Sequence, residues 1–82
     1  MAQYNLGIIY ANGFGVEQNY QKAFEWFEQS ANQGDIEALY NLGIMYQNGQ
    51  GVKQDDKKSK EIFEQVCNAG IQQACNNAKF AK

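Results

Sequence analysis

The sequence contains no histidine, no arginine and no proline, and each absence narrows what the protein can do. Without histidine the chain lacks the commonest general base, every Ser-His-Asp or Cys-His arrangement, and all histidine-based metal sites. Without arginine the seven basic residues are all lysine, so the planar guanidinium that suits phosphate and base recognition is missing. Because the formal net charge is −2, we expect no nucleic-acid partner.

Long apolar runs are absent as well. The longest is a few residues, whereas a helix that crosses a bilayer needs roughly 20, so we expect no membrane insertion. Met1 is followed directly by Ala2-Gln3-Tyr4, without a basic or apolar leader, which predicts no signal peptide at this end. A fragment of a longer, exported precursor would begin in the same way, because these residues also start a repeat.

The most informative feature of the sequence is an internal repeat with a period of 36 residues. Tyr4-Asn5-Leu6-Gly7-Ile8 recurs as Tyr40-Asn41-Leu42-Gly43-Ile44, and a third copy begins at Ala74 and covers a single helix. We predict one domain over residues 1–82, divided into repeat one at 2–37, repeat two at 38–73 and a capping helix at 74–82.

In each unit, capping residues and glycines mark the ends of two predicted helices, which are joined by a glycine-containing turn. In the first unit, residues at helical spacing end at Asn12-Gly13, and Asn19 caps a second helix that ends at Gly34. In the second unit we expect helices over about 35–48 and 55–69. Since no strand pattern is present, the sequence predicts an all-α superhelical solenoid with a closing helix from about residue 71.

These motif residues resemble the Sel1-like repeat (SLR) family, a relative of the tetratricopeptide repeat. The resemblance implies an α/α superhelix that binds a partner protein or peptide on its concave face, and it identifies no particular partner. The residues that carry it are Ala38, Leu42-Gly43, Tyr46 and Gly49-x-Gly51-Val52 in the second unit, with Lys22-Ala23, Trp26-Phe27 and Ala31-x-x-Gly34 in the first.

We interpret the repeated small and apolar residues as core. Glycine and alanine allow close approach of helices, and larger side chains fill the space between them. The small residues are Ala2, Gly7, Ala38, Gly43 and Ala74, and the larger ones are Leu6, Tyr10, Phe27, Leu42, Tyr46 and Phe63. The last unit departs from the pattern at Ser59, Ile62, Ala78 and Lys79. The polar residues of the terminal helix indicate a cap: Asn76, Asn77, Lys79 and Lys82.

If Ala2, Leu6 and Tyr10 form the packed stripe, the first helices turn a second set of residues toward the concave face. These candidate partner-binding residues are Tyr4, Asn5, Ile8, Tyr40, Asn41 and Ile44, whose types suit a protein contact. Two alternatives remain: some pack between repeats, or the asparagines, with Asn77, hydrogen-bond neighbouring loops. Because two repeats offer a small groove, a longer repeat array, an oligomer or a short peptide ligand is implied.

Cys67 and Cys75 are the two cysteines, and they flank Gly70 at the junction of two predicted helices. This position allows a disulfide, and the segment resembles the Helicobacter cysteine-rich SLR proteins, exported proteins with a disulfide in each repeat. We therefore expect a Cys67–Cys75 disulfide in a periplasmic or secreted bacterial protein. The alternative is two reduced, buried cysteines in a cytoplasmic solenoid. Two thiols without histidine supply half a zinc ligand set, so no metal is expected.

No combination of residues predicts catalysis or a cofactor. Cysteine-rich SLR proteins as a class have been linked to penicillin binding and β-lactam hydrolysis, so a β-lactamase-like activity is the alternative function, implied by the resemblance alone. Neither Ser30 nor Ser59 begins an S-x-x-K motif. The second helices carry carboxylate pairs at equivalent positions, which we expect to face solvent: Glu25 with Glu28 and Glu61 with Glu64.

Overall fold

The computed structural model describes the backbone of residues 2–80 and the side chains of residues 3–77. Within residues 2–80 there is no strand, and each helix packs against the next one along the chain. The prediction of an all-α solenoid is therefore confirmed. The five helices are α1 (Ala2–Asn12), α2 (Tyr20–Asn32), α3 (Ile36–Asn48), α4 (Asp56–Asn68) and α5 (Gln72–Phe80).

Some of the expectations concern residues outside this description. The predicted capping helix over 74–82 corresponds to α5, but its last two residues are not described. The division into repeats at 2–37 and 38–73 stays a prediction. Side chains that were expected to be core or cap and that lie outside the described residues are those of Ala2, Ala78, Lys79 and Lys82.

The second, third and fourth helices begin where a side chain can cap them. Asn19, Asp35 and Asp55 each accept a hydrogen bond from a backbone N–H in the first turn of α2, α3 and α4, respectively. Such bonds satisfy N–H groups that have no partner within the helix. At the other end of α3, Gly49 adopts the left-handed conformation (φ 68°) that terminates a helix.

The centre of each repeat is an aromatic ring packed against a glycine. Phe27 and Phe63 are almost fully buried. A methyl group on Gly43 would lie 2.8 Å from the Phe63 ring, and one on Gly7 would lie 2.6 Å from the Phe27 ring. Glycine at these two positions therefore lets the ring of the second helix lie directly on the backbone of the first helix.

The predicted core is confirmed for the two phenylalanines and for Ala38, Leu42 and Ala74, which are all buried. Leu6 is only half buried and does not join the core, because no described helix covers that side of α1. The two predicted core tyrosines, Tyr10 and Tyr46, are half buried and pack against the core.

Ser59 breaks the repeat pattern because its hydroxyl group has a specific partner. The side chain is fully buried in α4, and its Oγ donates a hydrogen bond of 2.9 Å to the carbonyl oxygen of Gly43 in α3. Its equivalent, Ala23, is buried without such a bond. Among the described residues, every buried side-chain nitrogen or oxygen atom has a hydrogen-bond partner. The Ser59 hydroxyl therefore avoids the free-energy cost of burying a polar group without a partner.

Two interactions attach α5 to the helices before it. Cys67 in α4 and Cys75 in α5 are joined by a disulfide, with their Cα atoms 4.6 Å apart. Two residues further along α5, the side-chain amide of Asn77 donates a hydrogen bond of 2.8 Å to the hydroxyl of Tyr40 in α3. The closing helix is thus connected both to its neighbour and to the first helix of the preceding repeat.

The contact between Gly43 and Phe63 predicts the sign of a stability change. In an ordinary helix interior Gly→Ala stabilises by about 1 kcal/mol. Here we expect Gly43→Ala to lower the free energy of unfolding by about 1–3 kcal/mol, as overpacking does. Urea denaturation would measure it. Phe63→Leu removes the ring atoms that the new methyl group would meet, so the cost of Gly43→Ala should shrink in that background. An equal cost in both backgrounds would contradict the contact.

The disulfide predicts that reduction lowers the melting temperature. Closing a loop of about nine residues removes roughly 2.6 kcal/mol of unfolded-state entropy by the chain model, which corresponds to a fall of about 10–20 °C in a domain of this size. Non-reducing intact-mass measurement should first show the loss of two hydrogens. The control, Cys67→Ala with Cys75→Ala, should melt at the same temperature with and without reductant. Two free thiols in air-exposed protein would contradict the bridge.

Candidate protein-binding groove

Three adjoining open clefts lie along α1 and α3, the first helices of the two repeats, and have volumes of about 570, 330 and 210 Å³. The first also includes the turn between α2 and α3. Tyr4 lines the first two clefts and Asn41 lines the second and third, so each cleft adjoins the next. We call this surface the first-helix groove and define it by Tyr4, Asn5, Ile8, Tyr40, Asn41 and Ile44, each of which lines at least one cleft.

The tyrosines of the groove also belong to the packing of the repeats. Tyr4 and Tyr40 are half buried and pack against the core. The Tyr4 ring lies 5.7 Å from the Phe27 ring, and the Tyr40 ring lies 5.7 Å from the Phe63 ring. Ile8 is likewise half buried against the core, as is its equivalent Ile44 in the second repeat. Each apolar groove residue therefore has one side in the core and one side in the groove.

The asparagines differ from one another in their surroundings. Asn5 is exposed. The side-chain amide of Asn41 donates a hydrogen bond of 3.0 Å to the carbonyl oxygen of Glu37 in its own helix. Asn77 bonds the hydroxyl of Tyr40. The alternative in which these asparagines bond neighbouring loops is therefore wrong for Asn41 and Asn77, because their partners lie in the first helices.

Many of the residues that line the clefts were not among the candidates, and three of them line the same cleft as Tyr40 and Asn41. Glu37 lines two of the clefts and is exposed. It precedes Asn41 by one helical turn, and that spacing places both residues on one face, so the sequence contained a usable signal. Ile71 and Gln73 also line the groove. Ile71 lies just before α5 and Gln73 lies in its first turn. No motif marks either residue, because their position depends on how α5 folds back.

The charge of the groove is negative. Glu37 contributes an exposed carboxylate, and Asp35 lines the first cleft beside it. No lysine whose side chain the structure describes lines any of the three clefts. These lysines lie instead on α2, on the loop after α3 and on α4: Lys22, Lys53, Lys57, Lys58 and Lys60.

The second helices of the two repeats, α2 and α4, offer little that resembles a catalytic or metal site. The four glutamates of the two carboxylate pairs are all exposed. Among the described side chains, no three histidine, cysteine, aspartate or glutamate residues form a group that could hold a metal ion. None of the described helices is both long enough and apolar enough to cross a membrane.

Comparison with known proteins gives concordant results. The model of the Sel1 repeat matches residues 1–35 and again residues 36–71. The putative sel1-like repeat-containing protein L18 of Acanthamoeba polyphaga mimivirus is 49% identical over 35 residues, which are 43% of this chain and 6% of that protein.

Three solved structures share the fold. A Sel1 repeat protein from Oxalobacter formigenes has a TM-score of 0.89 and 36% identity over 95% of this chain and 59% of its own. The protective antigen c5321 of uropathogenic Escherichia coli strains, which displays an SLR fold, has a TM-score of 0.85 and 40% identity over 89% of this chain and 16% of its own. Helicobacter pylori cysteine rich protein B has a TM-score of 0.84 and 28% identity over 90% of this chain and 56% of its own. The chain spans less than two thirds of each of these proteins.

Proposed function

The chain belongs to the Sel1 repeat family, and from that premise we propose that it is a binding module whose first-helix groove holds a segment of a partner protein. Sel1 repeats are generally protein–protein interaction modules and non-catalytic scaffolds. The observation that carries the proposal is that equivalent residues of both repeats line adjoining clefts, so the two repeats together offer a longer surface than either unit alone.

The side chains of the groove support this role because they are held in place before a partner binds. The rings of Tyr4 and Tyr40 rest on buried phenylalanines, and the hydroxyl of Tyr40 is fixed by Asn77. Side chains that are ordered in advance lose little conformational entropy on binding. Tyrosine is also enriched at protein interfaces because it combines a large apolar ring with a polar group.

The size of the molecule favours an extended peptide as the ligand of this chain. Its longest dimension is 35 Å, and an extended chain advances about 3.3 Å per residue, so a segment of about ten residues would cross it. Because the related proteins are longer, a groove extended by further repeats, or an oligomer, remains the alternative way to bind a larger surface. Neither nucleic acid nor a cofactor is part of the proposal.

We also propose that the protein acts outside the cytoplasm, in the periplasm or after secretion. The disulfide between Cys67 and Cys75 supports this location, because disulfides persist in oxidising compartments and are rare in the cytosol. The likeness to Helicobacter pylori cysteine rich protein B supports it as well. The alternative is a cytoplasmic protein in which the two thiols are reduced.

The groove can be tested by filling it without disturbing the core. Asn5→Arg with Asn41→Arg places two long side chains in the groove at repeat-equivalent positions. The probe is a peptide of about ten residues, selected on the wild-type chain from a random display library, with the length set by the extended-chain rise. We expect the double variant to weaken its binding by about 30-fold or more, which is the scale of an interface hot spot. Titration calorimetry would measure the affinity.

A matched control places the same kind of substitution on α2 and α4, the second helices of the two repeats. Gln29→Arg with Gln65→Arg adds the same charge at another pair of equivalent, exposed positions, and it should change the affinity less than about twofold, since surface positions away from a binding site are nearly neutral. If both double variants weaken the peptide equally, the effect comes from charge and not from the groove, and the proposal is wrong. Circular dichroism should show that both variants melt near the wild-type temperature.

The alternative activity, β-lactam hydrolysis, leads to a separate prediction. Ser30 and Ser59 are both buried, and their hydroxyls donate hydrogen bonds to Asp35 and to the carbonyl oxygen of Gly43. Neither is free to attack a substrate, so we expect no saturable hydrolysis of nitrocefin by the purified chain. A serine β-lactamase assayed in parallel provides the positive control. Saturable turnover that survives a second purification would contradict this prediction.

A further inference from the structure

The middle cleft of the first-helix groove, of about 330 Å³, combines aromatic rings with one charged side chain. Tyr4 of α1 and Tyr40 of α3 both line it, so each repeat contributes a ring. Both rings are half buried on a core phenylalanine, at 5.7 Å between the ring centroids. Of the described residues that line this cleft, Glu37 is the charged one. The cleft therefore offers both ring surface and negative charge to a single group of a partner.

The carboxylate of Glu37 is open to a partner, whereas that of the nearby Asp35 is already engaged. One carboxylate oxygen of Asp35 accepts hydrogen bonds from the backbone N–H groups of Glu37 and Ala38. The other accepts the hydroxyl of Ser30. Glu37 itself is exposed. In the same cleft, Asn41 donates its side-chain N–H to the backbone carbonyl of Glu37 and not to the carboxylate.

This charge belongs to one repeat only. A shift of 36 residues takes Glu37 to Gln73 and Asp35 to Ile71, and both of these uncharged residues also line the middle cleft. Among the described side chains that line the groove, Glu37 carries the one exposed carboxylate, and no lysine lies beside it. The groove thus presents a negative charge at a single, defined place.

We propose that the partner segment in this groove carries an arginine side chain that enters the middle cleft. The N–H donors at the edge of its guanidinium would pair with the carboxylate of Glu37, and its flat face would lie on the ring of Tyr4 or Tyr40. Arginine suits such a cleft better than lysine because the guanidinium is planar, weakly hydrated and able to stack on aromatic rings. The inference rests on the proposed function and adds to it the chemistry of one ligand residue.

Charge complementarity argues against the other kinds of segment. A purely apolar segment would remove water from the Glu37 carboxylate without replacing the lost hydrogen bonds, which is unfavourable. An acidic segment would place a like charge beside Glu37. An arginine both replaces those hydrogen bonds and neutralises the charge.

Selection of peptides on the chain itself tests the inference. A random display library of about ten-residue peptides, the length set by the extended-chain rise, is selected in parallel on the wild-type chain and on Glu37→Gln. We expect the wild-type peptides to share an arginine at one position and the peptides from Glu37→Gln to lack this preference. If the wild-type peptides lose binding on Asn5→Arg with Asn41→Arg but share no basic residue, this inference is overturned and the proposed function stands. A library that yields no groove-dependent peptide overturns both.

A double-mutant cycle then measures the pairing. The probes are one selected peptide and the same peptide with citrulline, which is uncharged and of similar shape, in place of the arginine. In titration calorimetry, we expect Glu37→Gln to weaken the arginine peptide about fivefold, the upper range for an exposed ion pair, and the citrulline peptide less than about twofold. On the wild-type chain, citrulline alone should cost at least as much. Equal effects of Glu37→Gln on both peptides, or equal affinities of the two peptides for the wild type, overturn the proposal.

Glu25→Gln on α2 is the matched control. It removes the same charge at an exposed position that lines none of the three clefts, so it should change both affinities less than about twofold. If it weakens the arginine peptide as much as Glu37→Gln does, the effect comes from net charge and the proposed pairing is wrong. Because Glu37 lies in the first turn of α3, where a carboxylate also stabilises the helix, circular dichroism should show that Glu37→Gln is folded at the temperature of the titration.

Discussion

The contact on which the rest of the structure depends is the packing of a phenylalanine ring on a glycine in each helix pair. Phe27 on Gly7 and Phe63 on Gly43 bring the backbones of the two helices as close as a ring allows. A small domain buries a limited share of its surface, so its stability rests on few contacts. These two contacts are equivalent under the repeat, and they fix the angle and depth at which every other side chain of the pair meets its neighbour.

The tyrosines of the groove are held in place by those contacts. Tyr4 and Tyr40 lie against the same phenylalanine rings that the two glycines contact, with the ring centroids 5.7 Å apart in both pairs. Under the proposed function, a tyrosine held in this way would serve both stability and recognition, so truncating it would not separate the two roles. Asn5 and Glu37 line the groove and are exposed, so substitutions there would test binding while the fold stays intact.

The first and last described helices, α1 and α5, differ in how they contact the rest of the structure. At the end of repeat two, α5 covers α4 and is fastened by the disulfide and by the bond from Asn77 to Tyr40. In α1, Leu6 and Ile9 are half buried, and Phe14 of the following loop is exposed. In a solenoid each unit is stabilised by its neighbours, so equivalent residues of the two repeats differ in burial.

The sequence by itself determined the period, the helices to within one or two residues and the buried phenylalanines, because these follow from local spacing and from which residues recur. The spacing of Cys67 and Cys75 allowed a disulfide, and the resemblance to cysteine-rich repeat proteins supported it. Only the tertiary structure decided how equivalent residues differ. Leu6 and Leu42 are the same residue in the same local sequence, yet one is half exposed and the other buried, because burial depends on whether a helix lies alongside. The bond that satisfies Ser59 and the entry of Ile71 into the groove depend in the same way on contacts between distant parts of the chain, and no local pattern encodes those.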